Sequence, residues 1–181
     1  MQRNLPARKH PRMKTHDYSR IGSYFITICA KDGHEMLGRV VSVGRDAHIA
    51  PHVQLTEYGI IADKYIKRIN APRRGLHLDN YVVMPNHLHM IIVVKSTENN
   101  AEVPCQNGAM WTSRPTNAVI PRIVRSYKTM VTKEIGFSLW QASYYDHIIR
   151  NESEHRHISH YIDENPIKWH EDRYYVREQG S

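Results

Sequence analysis

Residues 79–95 constrain the fold of this chain more than any other stretch. They spell DNYVVMPNHLHMIIVVK, which places β-branched and other apolar residues on both sides of His87 and His89. Such runs are typical of buried strands. Because successive side chains of a strand alternate between the two faces of a sheet, we expect both histidines on one face and Leu88 on the other. Two imidazoles on a buried strand are therefore the first candidate for a functional site.

The tripeptide Met84-Pro85-Asn86 divides this stretch in two. Proline has no amide hydrogen to donate to a sheet, and Pro-Asn is typical of turns. The pattern predicts strands over residues 76–84 and 87–95, joined by a tight hairpin. The histidine pair then lies at the start of the second strand.

The remaining elements follow from hydrophobic spacing. A strand is predicted over residues 24–30, with residues 36–43 as its hairpin partner, followed by a polar connection over residues 44–53. Three helices are predicted: helix A over residues 55–69 with a cap near Thr56, helix B over 120–135, and helix C from a cap at Asn151 to Glu164. A further strand is expected toward the end of residues 137–149. This order predicts an α+β sandwich, an antiparallel sheet with helices packed on one face.

At 181 residues the chain is long enough for one domain with a hydrophobic core. We predict a basic N-terminal arm over residues 1–20, the domain over 21–166 and a C-terminal tail over 167–181. The tail would pack on the core or exchange with a second subunit. Residues 96–121 are polar and rich in turn residues, which predicts a mobile functional loop or a disordered insertion.

Composition points to a polyanionic partner and to the cytoplasm. The formal net charge is +7, and basic residues crowd the first 16 positions. This charge favours nucleic acid as the partner, although a basic face can also serve solubility.

No run reaches the roughly 18 to 20 apolar residues of a membrane span, and no apolar segment resembles a signal peptide. Cys29 and Cys105 match neither a disulfide framework nor a CxxC metal site, so reduced thiols are expected.

Helix C carries two further candidates, Tyr161 and Asn165. They are four residues apart and therefore share one helix face. A tyrosine oxygen becomes a nucleophile when deprotonated, and an asparagine carbonyl oxygen is a plausible metal ligand beside two imidazoles. Each residue also has a purely structural interpretation: His87 and His89 could fill a polar gap, Tyr161 could pack in the core, and Asn165 could end the helix before Pro166.

The combined pattern resembles a known family. The segment YVVMPNHLHMIIVV, followed by a late helix in HRHISHYIDENPIKW, is similar to the single-tyrosine HUH transposases of small insertion sequences. The REP-associated tyrosine transposase branch is the best match, and NLPARKHPRMKTHDYSRIGSYFITICA and WQASYYDHIIRNESEHRHISHYIDENP also resemble it. The resemblance therefore covers most of the chain.

The resemblance implies a fold, a site and a reaction. The fold would be a ferredoxin-like or RRM-like sandwich, commonly dimeric. His87 and His89 would bind the metal, with Asn165 as a further ligand where some relatives carry glutamine. The ion would be Mg²⁺ or Mn²⁺, and imidazole ligands would also suit Zn²⁺. Tyr161 would attack single-stranded DNA, often beside a hairpin, and form a 5′-phosphotyrosine link.

Positive charge and aromatic rings indicate which residues could contact DNA. The candidate phosphate contacts are Arg8, Lys9, Arg12, Arg122, Arg125 and Lys128. The candidate stacking residues are Trp140, Tyr144 and Tyr145, and His147 resembles a recurrent family position without an assigned role. Two other functions stay open at this point: a non-catalytic module that binds hairpin DNA or RNA on an RRM-like fold, and a small histidine-rich metal-binding protein.

Overall fold

The computed structural model describes residues 21–41, 50–71, 75–95 and 119–175. They form β1 (Gly22–Cys29), β2 (Gly38–Val41), β3 (His52–Leu55), α1 (Glu57–Lys67), β4 (Leu76–Val83), β5 (His87–Val94), α2 (Val119–Ile135), β6 (Tyr145–Ile149) and α3 (Glu152–Glu164). The predictions for the N-terminal arm, for most of the 96–121 loop and for the end of the tail lie outside these residues. The arm contains three candidate DNA contacts, Arg8, Lys9 and Arg12.

Within the described residues, four strands form one antiparallel sheet in the order β4-β5-β1-β6. The predicted hairpin between β4 and β5 is confirmed, and the amide of Met84 donates to the carbonyl oxygen of His87 at 2.8 Å. Of the residues in β5, only Val93 is not fully buried. A central strand covered on both faces explains why the sequence of β5 is almost continuously apolar.

Helices cover both faces of this sheet. The main core contains Ile26, Leu88 and Met90 with residues of α1 and α2, so these two helices share one face, as predicted. The other face has a smaller cluster built from Ile91, Ile149 and Ile162, and Ile162 belongs to α3. The α+β architecture is confirmed, but α3 covers the opposite face, whereas the sequence predicted helices on one face.

Two predicted helix caps are present. The hydroxyl oxygen of Thr56 accepts from the amide of Gly59 at 3.2 Å at the start of α1. At the start of α3, the side-chain oxygen of Asn151 accepts from the amide of Glu154 at 2.9 Å. Each cap satisfies an amide that the first turn of a helix leaves unpaired.

Among the helices of the described ranges, none combines the length and the apolar character of a membrane span.

The hairpin predicted between β1 and residues 36–43 is wrong. β2, which lies in that segment, pairs with β3, and part of the predicted polar connection is therefore strand. β1 is bonded to β5 on one side and to β6 on the other. Because both edges of β1 are occupied, the next strand along the chain forms a separate two-stranded ribbon.

Candidate active site

His87 and His89 lie together on the face of the sheet that α3 covers. In the β1–β5 register, His87 lies opposite Cys29 and His89 lies opposite Thr27. The Nε2 atoms of the two histidines are 3.0 Å apart. His87 is 0% exposed and His89 is 1% exposed, while Leu88 packs in the main core on the other face. The alternation predicted from the sequence therefore brings both imidazoles to one point.

The other ring nitrogens are held by hydrogen bonds. His87 Nδ1 lies 2.8 Å from Asn86 Oδ1, and His89 Nδ1 lies 2.8 Å from Thr27 Oγ1. An amide oxygen only accepts, so His87 Nδ1 carries the proton and Nε2 carries the lone pair. The Thr27 hydroxyl can accept from His89 Nδ1 in the same way. Both Nε2 lone pairs would then face the same space.

Burial keeps both imidazoles neutral. It lowers the pKa of His87 to about 4. The pKa of His89 falls well below its usual 6.5, first because of burial and then because of the neighbouring His87. A neutral imidazole is the form that binds a metal, so at pH 7 neither histidine needs to lose a proton before it can act as a ligand.

Tyr161 of α3 reaches the histidine pair of its own chain. Its hydroxyl lies 3.4 Å from His89 Nε2 and donates to Asp172 Oδ2 at 3.2 Å. Burial first, and then the negative charge of Asp172, raises the pKa of Tyr161 to about 12. The side chain is still 39% exposed, so its outer edge is open to solvent. At neutral pH the phenol is protonated, and it needs a nearby cation to become a nucleophile.

Asp172 is a site residue that the sequence did not indicate. It follows a short 3₁₀ turn at Trp169–Glu171, in the segment predicted as a tail. Ligand atoms of His87, His89 and Asp172 all lie within 4.8 Å of one another. The carboxylate is part of no recognisable motif, so the only available signal was its acidic character downstream of Tyr161.

Asn165 is buried beside Asp172. Its amide nitrogen donates to Asp172 Oδ2 at 3.1 Å. Its carbonyl oxygen is buried and has no hydrogen-bond partner among the described residues. An unpaired buried oxygen is costly, and a cation would satisfy it. The structure therefore places the predicted ligand next to the site, with the relevant oxygen still available.

The segment after α3 covers the histidine pair. The ring of Tyr174 lies 4.6 Å from the ring of His87, and Asn86 Nδ2 donates to the carbonyl oxygen of Tyr174 at 2.8 Å. Trp169 is buried with its ring 5.9 Å from the same histidine. Of the two placements predicted for the tail, its described part adopts the first and packs on the domain of its own chain.

A cation and an aromatic ring lie at the rim of the site. The guanidinium of Arg173 is 5.5 Å from the ring centre of Tyr145 and 4.6 Å from that of Tyr174. Tyr145, predicted as a stacking residue, is 40% exposed, whereas Trp140 and Tyr144 are buried core residues. Arg173 was missed, because a single arginine in a terminal segment carries no positional signal.

The basic residues of α2 lie away from the histidine pair. α2 packs on the main core, which is on the other face of the sheet. Lys128 is also engaged within the chain, because its ammonium donates to the carbonyl oxygens of Gln141 at 2.8 Å and Ser143 at 2.9 Å. The structure therefore does not bring Arg122, Arg125 or Lys128 to the site, and their contact with DNA stays a prediction.

His147 has a structural role. Its Nε2 lies 2.7 Å from Glu154 Oε1, which joins β6 to the first turn of α3. The other oxygen of Glu154 accepts from the amide of Arg150 at 2.7 Å. These bonds fix the start of the helix that carries Tyr161.

Comparison with known proteins gives a sequence relative and a structural neighbour with the same fold. No protein-family model matches the chain. A protein of Haemophilus influenzae, described as uncharacterized, is 33% identical over 177 residues, which covers 93% of each chain. The solved structure of a REP-associated tyrosine transposase bound to a REP hairpin aligns with a TM-score of 0.54 and 19% identity, over 91% of this chain and 74% of that one. The resemblance drawn from the motifs is thus confirmed as a shared fold.

Proposed function

Because this chain belongs to the same family as the Haemophilus influenzae protein and has the fold of a REP-associated tyrosine transposase, we propose that it is a metal-dependent DNA nicking and rejoining enzyme. Its reaction would cleave single-stranded DNA through a 5′-phosphotyrosine intermediate. The observation that carries the proposal is the convergence of the Tyr161 hydroxyl, two buried imidazoles and the Asp172 carboxylate at one point.

The donor set fits a divalent ion. The two imidazole nitrogens and a carboxylate oxygen of Asp172 lie within 4.8 Å of one another, close enough for one ion to contact all three. The Nε2 atoms of His87 and His89 are separated by 3.0 Å. These two residues and Asp172 would hold the ion, and Asn165 would orient Asp172 and offer its buried oxygen to the same ion. A mixed set of nitrogen and oxygen donors suits Mn²⁺, Mg²⁺ and Zn²⁺, so the donor set does not select one.

The bound ion would polarise a phosphate oxygen of the DNA and offset negative charge in the transition state. The protein supplies the nucleophile. Tyr161 Oη would attack phosphorus in line as its proton passes to water, the bond between phosphorus and the 3′ oxygen would break, and the 3′ oxygen would take up a proton and leave as a hydroxyl. Asp172, which accepts the hydrogen bond of the phenol, orients this oxygen. No ATP is required, because the phosphotyrosine link keeps the phosphodiester energy for rejoining.

Single-stranded DNA beside a hairpin is the proposed substrate. The neighbour with the shared fold was solved with a REP hairpin bound, and this chain has a net charge of +7. At the rim of the site, Tyr145 offers a stacking surface and Arg173 a phosphate contact. A cation next to an exposed aromatic ring is a common way to hold an unstacked strand.

The test is a search for the covalent intermediate. Labelled single-stranded DNA with a hairpin is incubated with the full chain and Mn²⁺, and the products are separated under denaturing conditions. We expect a DNA-linked protein band from the wild type and none from Tyr161→Phe, which keeps the ring and loses only the oxygen. His87→Ala should lose the band through loss of the ion. An adduct that persists in Tyr161→Phe would contradict the assignment of the nucleophile.

One observation favours a second candidate, a non-catalytic module that binds hairpin DNA or RNA. The histidine pair is at most 1% exposed, so a phosphate cannot reach it in the conformation described. Such a module would bind nucleic acid with an affinity that falls as salt rises, and it would nick no strand with any divalent ion. The same incubation therefore separates the two functions.

A further inference from the structure

β4 contains an irregularity beside the helix that carries Tyr161. Leu78 pairs with Ile92 and Asn80 pairs with Ile91, so Asp79 is an extra residue in the ladder. This is the geometry of a β-bulge. An extra residue shifts the alternation of side chains by one position, so side chains before and after it follow opposite parity.

The parity change is visible in which residues face the main core. The residues of β4 that pack on this core are Leu76, Leu78, Tyr81 and Val83. The residues that face this core therefore have even numbers before the bulge and odd numbers after it. As a result, Asp79 and Asn80, which are neighbours in sequence, both point to the other face of the sheet, where α3 lies.

Both bulge residues bind α3. Asp79 Oδ2 lies 3.0 Å from His155 Nε2. Asn80 Nδ2 donates to Ser159 Oγ at 2.8 Å and to Asp163 Oδ1 at 2.9 Å. The three residues of α3 are spaced four apart, so they form one stripe along the helix. The last two lie on either side of Tyr161 in the sequence.

We propose that Asn80 is a positioning residue for Tyr161, and that the bulge in β4 sets where α3 stands relative to the histidine pair. This inference rests on the proposed function. The apolar contact between α3 and the sheet is small. Ile162 is the residue of α3 that is fully buried in it. Apolar contact is non-directional and does not by itself fix the rotation or sliding of a helix, whereas hydrogen bonds do. Asn80 therefore holds the middle of α3, as the His147–Glu154 bond holds its start, and thereby sets the contact between the Tyr161 hydroxyl and His89, which measures 3.4 Å.

An exchange of donor and acceptor tests this role. Asn80→Asp removes the amide donor and places a carboxylate against Asp163. Adding Asp163→Asn restores one donor and one acceptor with the roles reversed. We expect adduct formation at saturating DNA to slow roughly 10- to 100-fold in the single variant, because small misplacements of a nucleophile have effects of this size. The double variant should recover most of the loss.

Two further measurements separate positioning from general damage. DNA affinity and Mn²⁺ affinity without DNA should match between the single and double variants. Arg156→Gln is the control on α3, because Arg156 is exposed and lies off the stripe that contacts the bulge. A double variant as slow as the single one, or a single variant as fast as the wild type, would overturn the proposal.

Amide hydrogen exchange gives a readout that does not depend on activity. In Asn80→Asp, exchange over residues 155–163 should be faster than in the wild type, and it should return to the wild-type rate when Asp163→Asn is added. Unchanged exchange in the single variant would overturn the proposal. If the wild type forms no adduct at all, the proposed function fails, and the exchange data still decide whether Asn80 holds α3.

Discussion

At the scale of single residues, the site depends on the groups behind the histidines as much as on the histidines themselves. Thr27 bonds one imidazole and Asn86 bonds the other, each at 2.8 Å. Partners of this kind fix the tautomer and the ring orientation of a metal ligand. Thr27 and Asn86 therefore determine the orientation and protonation of the two Nε2 atoms that face each other, although neither residue would contact the ion.

Thr27→Val tests this arrangement without changing the volume of the side chain. The variant removes the hydroxyl that contacts His89 Nδ1, and we expect Mn²⁺ affinity to fall about 10- to 100-fold, the usual effect of losing such a partner. Titration calorimetry of the free protein measures it. Thr132→Val on α2 is the matched control, since that helix packs on the other face. Equal affinity in the wild type and Thr27→Val would show that Thr27 does not orient the ring.

The residue scale also shows what sequence could and could not supply. His87 and His89 could be named as candidates because alternation predicts that they share one face, whereas Tyr161 was named through the resemblance of the late helix to the tyrosine transposases. Asp172 was not found, because it reaches the site through an irregular segment in which spacing carries no information. The same reason explains why Arg173 was missed.

At the scale of elements, regular patterns were predictable and pairings between distant segments were not. The β4–β5 hairpin follows from Pro85 and Asn86, and both caps follow from residue type at a helix start. The predicted pairing of β2 with β1 was wrong. Proximity in sequence favours a hairpin between neighbouring strands, but in the fold both edges of β1 pair with later strands, β5 and β6. The bulge at Asp79 has no local signature that distinguishes it from regular strand.

The start of α3 gives a prediction about pH. The amide of Arg150 first, and then His147, lowers the pKa of Glu154 below its usual value of 4.5. A depressed pKa means that the ionised carboxylate stabilises the folded state above the unfolded pKa, and that this stability is lost as pH falls through the folded pKa. We therefore expect Glu154→Gln to be less stable than the wild type at pH 7 and the difference to shrink below about pH 4.5.

Urea unfolding at several pH values measures this difference. Glu152→Gln is the control, because Glu152 lies in the same turn and its partner among the described residues is an exposed arginine. A gap between wild type and Glu154→Gln that stays constant down to pH 3 would contradict the role assigned to the carboxylate.

At the scale of the whole molecule, access to the histidine pair depends on the covering segment. The ring of Tyr174 lies 4.6 Å from His87, so Tyr174→Ala should open a route for small ions and speed Mn²⁺ association several-fold in stopped-flow measurements. Tyr58→Ala is the control, because that ring packs on Phe137, outside the covering segment. Equal association rates in Tyr174→Ala and the wild type would mean that the ion enters by another route.

The distribution of charge gives the second prediction at this scale. If DNA runs across the α3 face, Arg173→Gln should weaken binding and reduce the slope of log affinity against log salt by about 0.7, the value for one phosphate contact on a single strand. Arg125→Gln changes the same charge on the opposite layer and should leave the slope unchanged. The reverse result would place the strand on α2, as its basic residues first suggested.

The order of strands in the sheet also has a consequence for how the chain is made. β1 precedes both of its sheet partners along the chain: the hydroxyl of Thr27 contacts a histidine 62 residues later, and the other edge of β1 pairs with β6. Both edges of this apolar strand are open until β5 is made, and one stays open until β6 is made, which is the condition that favours aggregation of a nascent chain. We therefore expect the yield of native protein to depend on chaperones that hold this segment, and the candidate site to assemble only after Asp172 has been synthesised.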